Sequence, residues 1–185
     1  MKLTTTTQVS VDGVMQGNGA PDENRSGGFQ RGGWARPPEP LFDNEAMAFV
    51  HEVYQRADAF LFGRRTYELF AGYWGARKDL EDPIVGALNA RPKYLVSNTL
   101  TDPQWTDTTV LSGDVAAAVR ELKARPGREL QVHGCGVLFR WLLENGLVDE
   151  MNLFVMPVVV GQGTRLFSDS APDPALELVA SSEAA

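Results

Sequence analysis

Hydrophobic and polar residues alternate over residues 2–11, where Leu3, Val9 and Val11 share one face with two threonines. Alternation with a period of two and many β-branched residues predicts a strand. Short apolar runs predict further strands at 59–62, 94–96, 110–111, 130–133, 151–160 and 176–179. Apolar residues at helical spacing predict helices at 43–54, 64–73, 83–89, 115–122 and 137–145.

The order of these elements indicates the fold class. Strands that alternate with helices predict an α/β fold with a mostly parallel sheet. The last two predicted strands, 151–160 and 176–179, have no helix between them, so we expect an antiparallel edge. Neither a repeat nor a shift in composition divides the chain, which predicts a single domain over residues 1–185.

Residues 12–40 form a long stretch without hydrophobic periodicity, and they contain seven glycines and four prolines. A loop of this length inside a compact domain is usually functional or disordered. Phe29 and Trp34 lie within it, and a simple linker has no need of large aromatic side chains. We therefore expect a loop with a function.

Composition excludes several classes of function. The 185 residues include 17 Lys and Arg and 24 Asp and Glu, for a net charge of −7, which argues against nucleic-acid or membrane-surface binding. Cys135 is the single cysteine and cannot form an internal disulfide, as in proteins of a reducing cytoplasm. With no apolar run near the roughly 20 residues of a membrane span and no signal peptide, we expect a cytoplasmic protein.

Gly63, Arg64, Arg65 and Thr66 follow a predicted strand and open a predicted helix. The first N–H groups of a helix and two arginines suit a phosphate group, and the Thr66 hydroxyl can donate to one. A solvated arginine pair on a surface helix is the alternative interpretation.

Two later strand ends repeat this chemistry. Ser97 and Asn98 follow the strand at 94–96, although such residues are also ordinary in turns. Small residues at the end of the strand at 130–133 allow a backbone to approach a pyrophosphate; they are Gly134, Cys135 and Gly136. Each signal is weak alone, and their recurrence at strand ends predicts an anion-binding edge.

Other catalytic schemes are poorly supported. Two histidines and one cysteine argue against a zinc site. His133 lies in an apolar strand, which favours a histidine satisfied within the core over a catalytic base. The acids Asp12, Asp43 and Glu45 lie near the long loop and can supply a proton or anchor a ligand, but each suits a cap or a turn better.

Five segments occur in an order typical of one superfamily: 10–13, 63–68, 96–98, 134–136 and 157–164. Together they resemble the dihydrofolate-reductase-like superfamily, and within it the reductase domain at the C-terminus of the bifunctional riboflavin-biosynthesis deaminase/reductase. The resemblance covers nearly the whole chain. It implies a three-layer fold with helices on both faces of the sheet and NADPH across the strand ends.

The resemblance also implies roles for the three strand ends. Gly63, Arg64, Arg65 and Thr66 match the segment that binds the pyrophosphate and the 2′-phosphate. Ser97 and Asn98 match the segment beside the adenosine ribose phosphate. The last group matches the glycine-rich turn under the pyrophosphate and nicotinamide: Gly134, Cys135, Gly136 and Val137.

The substrate side follows from the same resemblance. Residues 12–40 match a mobile lid that closes over nicotinamide and substrate. Dihydrofolate reductases hold the pterin with a carboxylate on the first helix, where Glu45 is nearest in register and Asp43 second. Trp34 and Phe42 can form an apolar wall for a planar ring, or can simply pack in the core.

We therefore expect an NADPH-dependent oxidoreductase that acts on a small, heterocyclic, pyrimidine-like or pterin-like substrate, with no metal. A genuine dihydrofolate reductase and a non-catalytic NADPH-binding protein are the alternatives. We expect a homodimer with no nucleic-acid or membrane partner.

Overall fold

The computed structural model describes residues 1–35, 44–134, 136–167 and 175–182, without the side chains of residues 44–46. The strands are β1 (Lys2–Ser10), β2 (Ala57–Gly63), β3 (Lys93–Val96), β4 (Thr108–Leu111), β5 (Glu129–His133) and β6 (Glu150–Met156). The helices are α1 (Asn44–Arg56), α2 (Arg64–Tyr73), α3 (Pro83–Ala90), α4 (Val115–Ala124) and α5 (Gly136–Glu144), with a short 3-10 helix at Ser26–Gly28. The predicted α/β class is confirmed.

In the described residues the sheet has six strands in the order β4-β3-β2-β5-β1-β6. All of them run parallel. The predicted antiparallel edge is therefore not found. That edge required a strand at 176–179 beside the strand at 151–160, and residues 176–179 form no strand.

The end of the chain differs from the prediction as well. Residues 176–179 form no strand, and Leu176, Leu178 and Val179 are 62%, 81% and 76% exposed. An alternating pattern forms a strand only where an edge and an apolar surface receive it. In the described part of the chain, the isolated antiparallel bridge joins Val14 to Arg165.

The chain divides into two compact units. The first contains residues 1–7 and 51–152, and the second contains residues 8–50 and 153–185. The predicted single domain over residues 1–185 stays a prediction. Among the described residues, each helix is too short or too polar to cross a lipid bilayer.

Strand β2 is at the centre of the first unit. Phe60, Leu61 and Phe62 are completely buried, as is usual for a parallel strand that is covered on both faces. The Phe62 ring stacks on Trp105 with 5.9 Å between centroids. The apolar run that predicted this strand is thus explained by burial on both sides.

The second unit has a small core of its own. Val14, Phe29 and Val160 are buried together, and Trp34 and Val158 pack against them. As far as residue 35, the long loop is therefore held partly by the packing of its own side chains in this small core.

Candidate functional site

Three turns lie side by side at the carboxyl end of the sheet in the first unit. Gly63 at the end of β2 is in register with Val96 at the end of β3. On the other side of β2, Phe60 is in register with Gln131 of β5. Strand β2 ends at Gly63, three residues after this pair, and β5 ends at His133, two residues after it. The sheet topology thus brings together the three strand ends that the sequence analysis selected.

A side-chain contact joins two of these turns. The Arg64 guanidinium donates from Nη1 to Thr99 Oγ1 at 2.6 Å and from Nε to Glu68 Oε1 at 2.9 Å. Arg64 and Glu68 are both half-exposed, so the pair adds little stability. The contact with Thr99 nevertheless fixes the start of α2 against the turn that follows β3.

The start of α2 offers donors toward solvent. Gly63 precedes the helix and provides no side chain to cap its first N–H groups. Arg65 is exposed and Thr66 is half-buried. An uncapped helix N-terminus beside two arginines is suited to bind an anion.

Ser97 and Asn98 lie in different environments. Ser97 is buried, and its Oγ accepts hydrogen bonds from Thr99 N at 3.2 Å and Leu100 N at 2.9 Å. This is the ordinary turn chemistry that was the alternative interpretation for this segment. The side chain of Asn98 is exposed at the same edge.

The third turn begins at Gly134, whose φ of +68° favours glycine. Its N–H donates to Thr6 O at 3.1 Å, and a Cβ at this position would meet no atom within 4 Å. Gly136 begins α5, and Val137 in the first turn is 79% exposed. Cys135 lies outside the described residues. The turn therefore presents open space and an apolar side chain at the sheet edge.

His133, directly before this turn, belongs to the core. It is 4% exposed, and its ring stacks on Tyr54 with 4.4 Å between centroids. Burial lowers the pKa of His133 to about 3. The interpretation of His133 as a satisfied core histidine is confirmed.

Asp12 lies in the second unit and joins two loops. Its carboxylate accepts from Ser10 Oγ at 2.7 Å, from Val160 N at 3.0 Å and from Gly161 N at 2.8 Å. The hydrogen bond from the Val160 N–H, followed by those from Ser10 and Gly161, lowers the pKa of Asp12 to about 2. An ionised carboxylate has no proton to give at neutral pH, so this geometry suits a structural anchor and not a proton source.

We predict that Asp12→Ala accelerates amide hydrogen exchange at Val160 and Gly161, because their N–H groups lose the acceptor. The effect is expected at all pH values down to about 2, where the wild-type carboxyl itself becomes protonated. Asp22→Ala, an exposed position in the same loop, is the matched control. Equal exchange rates in both variants would contradict the anchoring role.

The other substrate-side candidates are only partly visible. Trp34 donates from Nε1 to Gln16 O at 2.8 Å and packs on the small core of the second unit, which is the packing alternative. Glu45 lies in α1, but its side chain is outside the described part. Phe42 and Asp43 lie outside the described residues.

The whole chain, residues 1–185, matches the RibD C-terminal domain family. The chain belongs to this family. The resemblance found in the sequence is thereby confirmed, and RibD C-terminal domains are reductases that typically use a nicotinamide cofactor.

Two curated relatives match parts of this chain. The chain is 29% identical over 125 residues to "Uncharacterized protein YyaP" of Bacillus subtilis (strain 168), covering 66% of this chain and 65% of that protein. It is 31% identical over 111 residues to "Glutamate--tRNA ligase" of Bifidobacterium longum (strain DJO10A), which is 60% of this chain and only 18% of that protein. The chain thus spans less than two thirds of either relative.

A solved structure has the same fold. It is the crystal structure of a "Putative riboflavin biosynthesis protein" from Shewanella sp. PV-4, with a TM-score of 0.67 and 23% identity. The match covers 97% of this chain and 90% of that chain. At this identity the likeness concerns the RibD-type fold alone.

Sequence reasoning missed two features of this RibD-type domain. Thr99 was not selected as a candidate, because its contact with Arg64 spans 35 positions. The polar residues Glu129 and Gln131 in the completely buried β5 also passed unremarked. The sequence did contain a signal for them, because polar side chains within a buried strand require hydrogen-bond partners.

A cavity of about 450 Å³ lies elsewhere in the first unit, between α1 and α3. Its walls include His51, Glu52, Leu80 and Arg91, and none of the candidate residues. In the described residues, no group of three or more potential metal-ligating side chains occurs. The strand ends therefore remain the best candidate site.

Proposed function

We propose that the chain is an NADPH-dependent reductase that transfers hydride to a small heterocyclic substrate of the pyrimidine or pterin type. The observation that carries the proposal is the convergence of three turns at one sheet edge, with Arg64 bound to Thr99 across two of them. Family membership supports a reductase. The cofactor and the substrate are the parts that we add.

The residues at this edge fit a dinucleotide phosphate. The uncapped start of α2 supplies N–H donors, and Arg64, Arg65 and Thr66 supply cations and a hydroxyl. The open space over Gly134 allows a ligand to approach the backbone. Ser97 and Asn98 would flank the ribose phosphate, with the exposed Asn98 side chain as the available group, because the Ser97 N–H already donates to Leu111 O.

When bound, NADPH supplies the hydride, so the protein has to bind, orient and exclude water. Gly134, Cys135 and Gly136 would lie under the pyrophosphate. The exposed Val137 side chain would offer apolar surface to the nicotinamide end. On the substrate side we propose Glu45, Asp43, Phe42 and Trp34, with Asp12 holding the loop.

Titration with NADPH and then with substrates tests the proposal. We expect saturable binding of NADPH, followed by loss of absorbance of the reduced nicotinamide when flavin-pathway pyrimidines, pterins or simple carbonyls are added. Turnover of dihydrofolate would instead indicate a genuine dihydrofolate reductase. Binding without oxidation by any of these would indicate a non-catalytic nucleotide-binding protein, and absence of binding would contradict the proposal.

A pair of glycine variants separates cofactor contact from stability. Gly134 and Gly146 have φ of +68° and +62°, and a Cβ would meet nothing within 4 Å at either. Changing either to Val places a side chain in a left-handed conformation, which costs about 1–2 kcal/mol of unfolding free energy. We expect Gly134→Val alone to weaken NADPH and NADH binding, each by about tenfold or more, as measured by nicotinamide fluorescence. Equal binding by both variants would remove the third turn from the site.

We further propose that the protein acts as a cytoplasmic homodimer. The edge strand β6 supports the dimer, because Leu153 and Val155 on it and Val159 beyond it are 40%, 59% and 66% exposed. Exposed apolar side chains on an outermost strand of a sheet favour association. Light scattering in solution measures the mass directly.

A further inference from the structure

Strand β5 is buried along its whole length, yet it carries three polar side chains. Glu129, Gln131 and His133 are 8%, 0% and 4% exposed. Because side chains alternate along a strand, these three share one face of the sheet. Buried polar groups are retained only with partners, so their partners define what they do.

The hydrogen bonds run along the strand. Glu129 accepts from Arg56 Nε at 2.8 Å and from Thr4 Oγ1 at 3.1 Å. Gln131 Nε2 donates to Glu129 Oε2 at 2.6 Å and to Val53 O at 2.6 Å. The carboxylate is thus held from three sides, and the Gln131 amide is held by two acceptors.

These partners determine which nitrogen of His133 carries its proton. Both partners of Gln131 Nε2 can only accept hydrogen bonds, so the side-chain amide cannot be flipped to exchange its nitrogen and oxygen. Gln131 Oε1 then faces His133 Nε2 at 3.0 Å and can only accept. The hydrogen of the neutral ring therefore lies on Nε2.

The position of His133 gives this tautomer a consequence. Its ring stacks on Tyr54 of α1 and lies 6.5 Å from the Phe70 ring of α2, the helix that begins with Arg64. The next residue is Gly134, the first residue of the third turn. One side chain thus contacts two helices and adjoins the turn.

We propose that His133, held as the Nε2–H tautomer by Gln131 and Glu129, is a positioning residue for the turn at Gly134 and Gly136. The inference rests on the proposed function, because the purpose of the positioning is to present this turn to the dinucleotide. His133 contacts neither cofactor nor substrate in this scheme.

NMR of the ligand-free protein tests the positioning itself. In the wild type, the ring nitrogen shifts should report the Nε2–H tautomer. Gln131→Leu removes the acceptor, so it should abolish that preference and shift the amide signals of Gly134 and Gly136. Thr4→Val is the matched control, since it removes one hydrogen bond from Glu129 and leaves Gln131 and His133 paired.

NADPH titration tests the consequence. Gln131→Leu is expected to weaken NADPH binding about tenfold, the cost of one misplaced hydrogen-bonded group. Thr4→Val should bind within about threefold of the wild type at similar thermal stability. His133→Leu removes the donor toward Gln131 and should weaken NADPH binding. His133→Gln keeps a donor toward Gln131 and should retain NADPH binding.

The outcomes distinguish a failure of the positioning role from a failure of the proposed function. If Gln131→Leu and Thr4→Val lower binding in proportion to their loss of stability, or if the ligand-free amide signals stay unchanged, the positioning role is overturned. If the wild type binds neither NADPH nor NADH, the proposed function fails, and the ligand-free spectra still decide the positioning inference.

Discussion

Replacing both arginines at the start of α2, as Arg64→Ala with Arg65→Ala, should weaken NADPH binding about 100-fold. A charge-assisted hydrogen bond to phosphate contributes roughly 1.5–3 kcal/mol, and each 1.4 kcal/mol is about tenfold in affinity. NADH lacks the 2′-phosphate, so its affinity should fall much less, by about threefold. Titration of the wild type and of the variant with each cofactor measures the loss of affinity for NADPH relative to that for NADH.

The control for this experiment removes two cations elsewhere. Lys78 and Arg120 are exposed, and neither follows the carboxyl end of a strand. Lys78→Ala with Arg120→Ala changes the net charge equally and should leave the preference for NADPH intact. An equal loss for NADPH and NADH in the Arg64 and Arg65 variant would mean that these arginines do not bind the 2′-phosphate.

Acid should destabilise the protein through His133. Its pKa is about 3 in the folded chain, where burial disfavours the charged ring, against 6.5 when unfolded. The unfolded state therefore binds the proton more readily as pH falls from 6.5 toward 3. The free energy of unfolding should drop by about 1.4 kcal/mol per pH unit across that window, or about 3 kcal/mol at about pH 4.

Urea unfolding of the wild type and of His133→Gln at neutral pH and at about pH 4 measures this contribution. Glutamine does not titrate and keeps a donor toward Gln131, so the variant should lose about 3 kcal/mol less on acidification. Carboxylates titrate in both proteins and cancel in the comparison. Parallel pH profiles would show that His133 is not held neutral by burial.

The candidate edge could be predicted because its signals are local. A buried strand followed by a glycine and polar residues is visible in any single stretch of sequence. Parallel strands necessarily place such ends on one side of the sheet. Gly63 and Val96 are accordingly in register, although 33 positions separate them. The class of fold could be predicted because strands and helices alternate along the sequence.

Features that depend on distant parts of the chain could not be predicted. The carboxylate of Asp12 binds N–H groups 148 and 149 positions away, so the sequence could only suggest a cap or a proton source. The segment at 176–179 has the pattern of a strand, but no paired edge receives it. The antiparallel edge was expected between this segment and the strand at 151–160, so it is lost together with the strand at 176–179.

A crystal structure with NADP⁺ bound would show whether the three strand ends hold the dinucleotide. We expect the dinucleotide along the carboxyl ends of β3, β2 and β5, with its pyrophosphate at the start of α2 or over Gly134. The 2′-phosphate should lie within hydrogen-bond distance of Arg64 or Arg65. A dinucleotide bound elsewhere, such as in the cavity between α1 and α3, would contradict it.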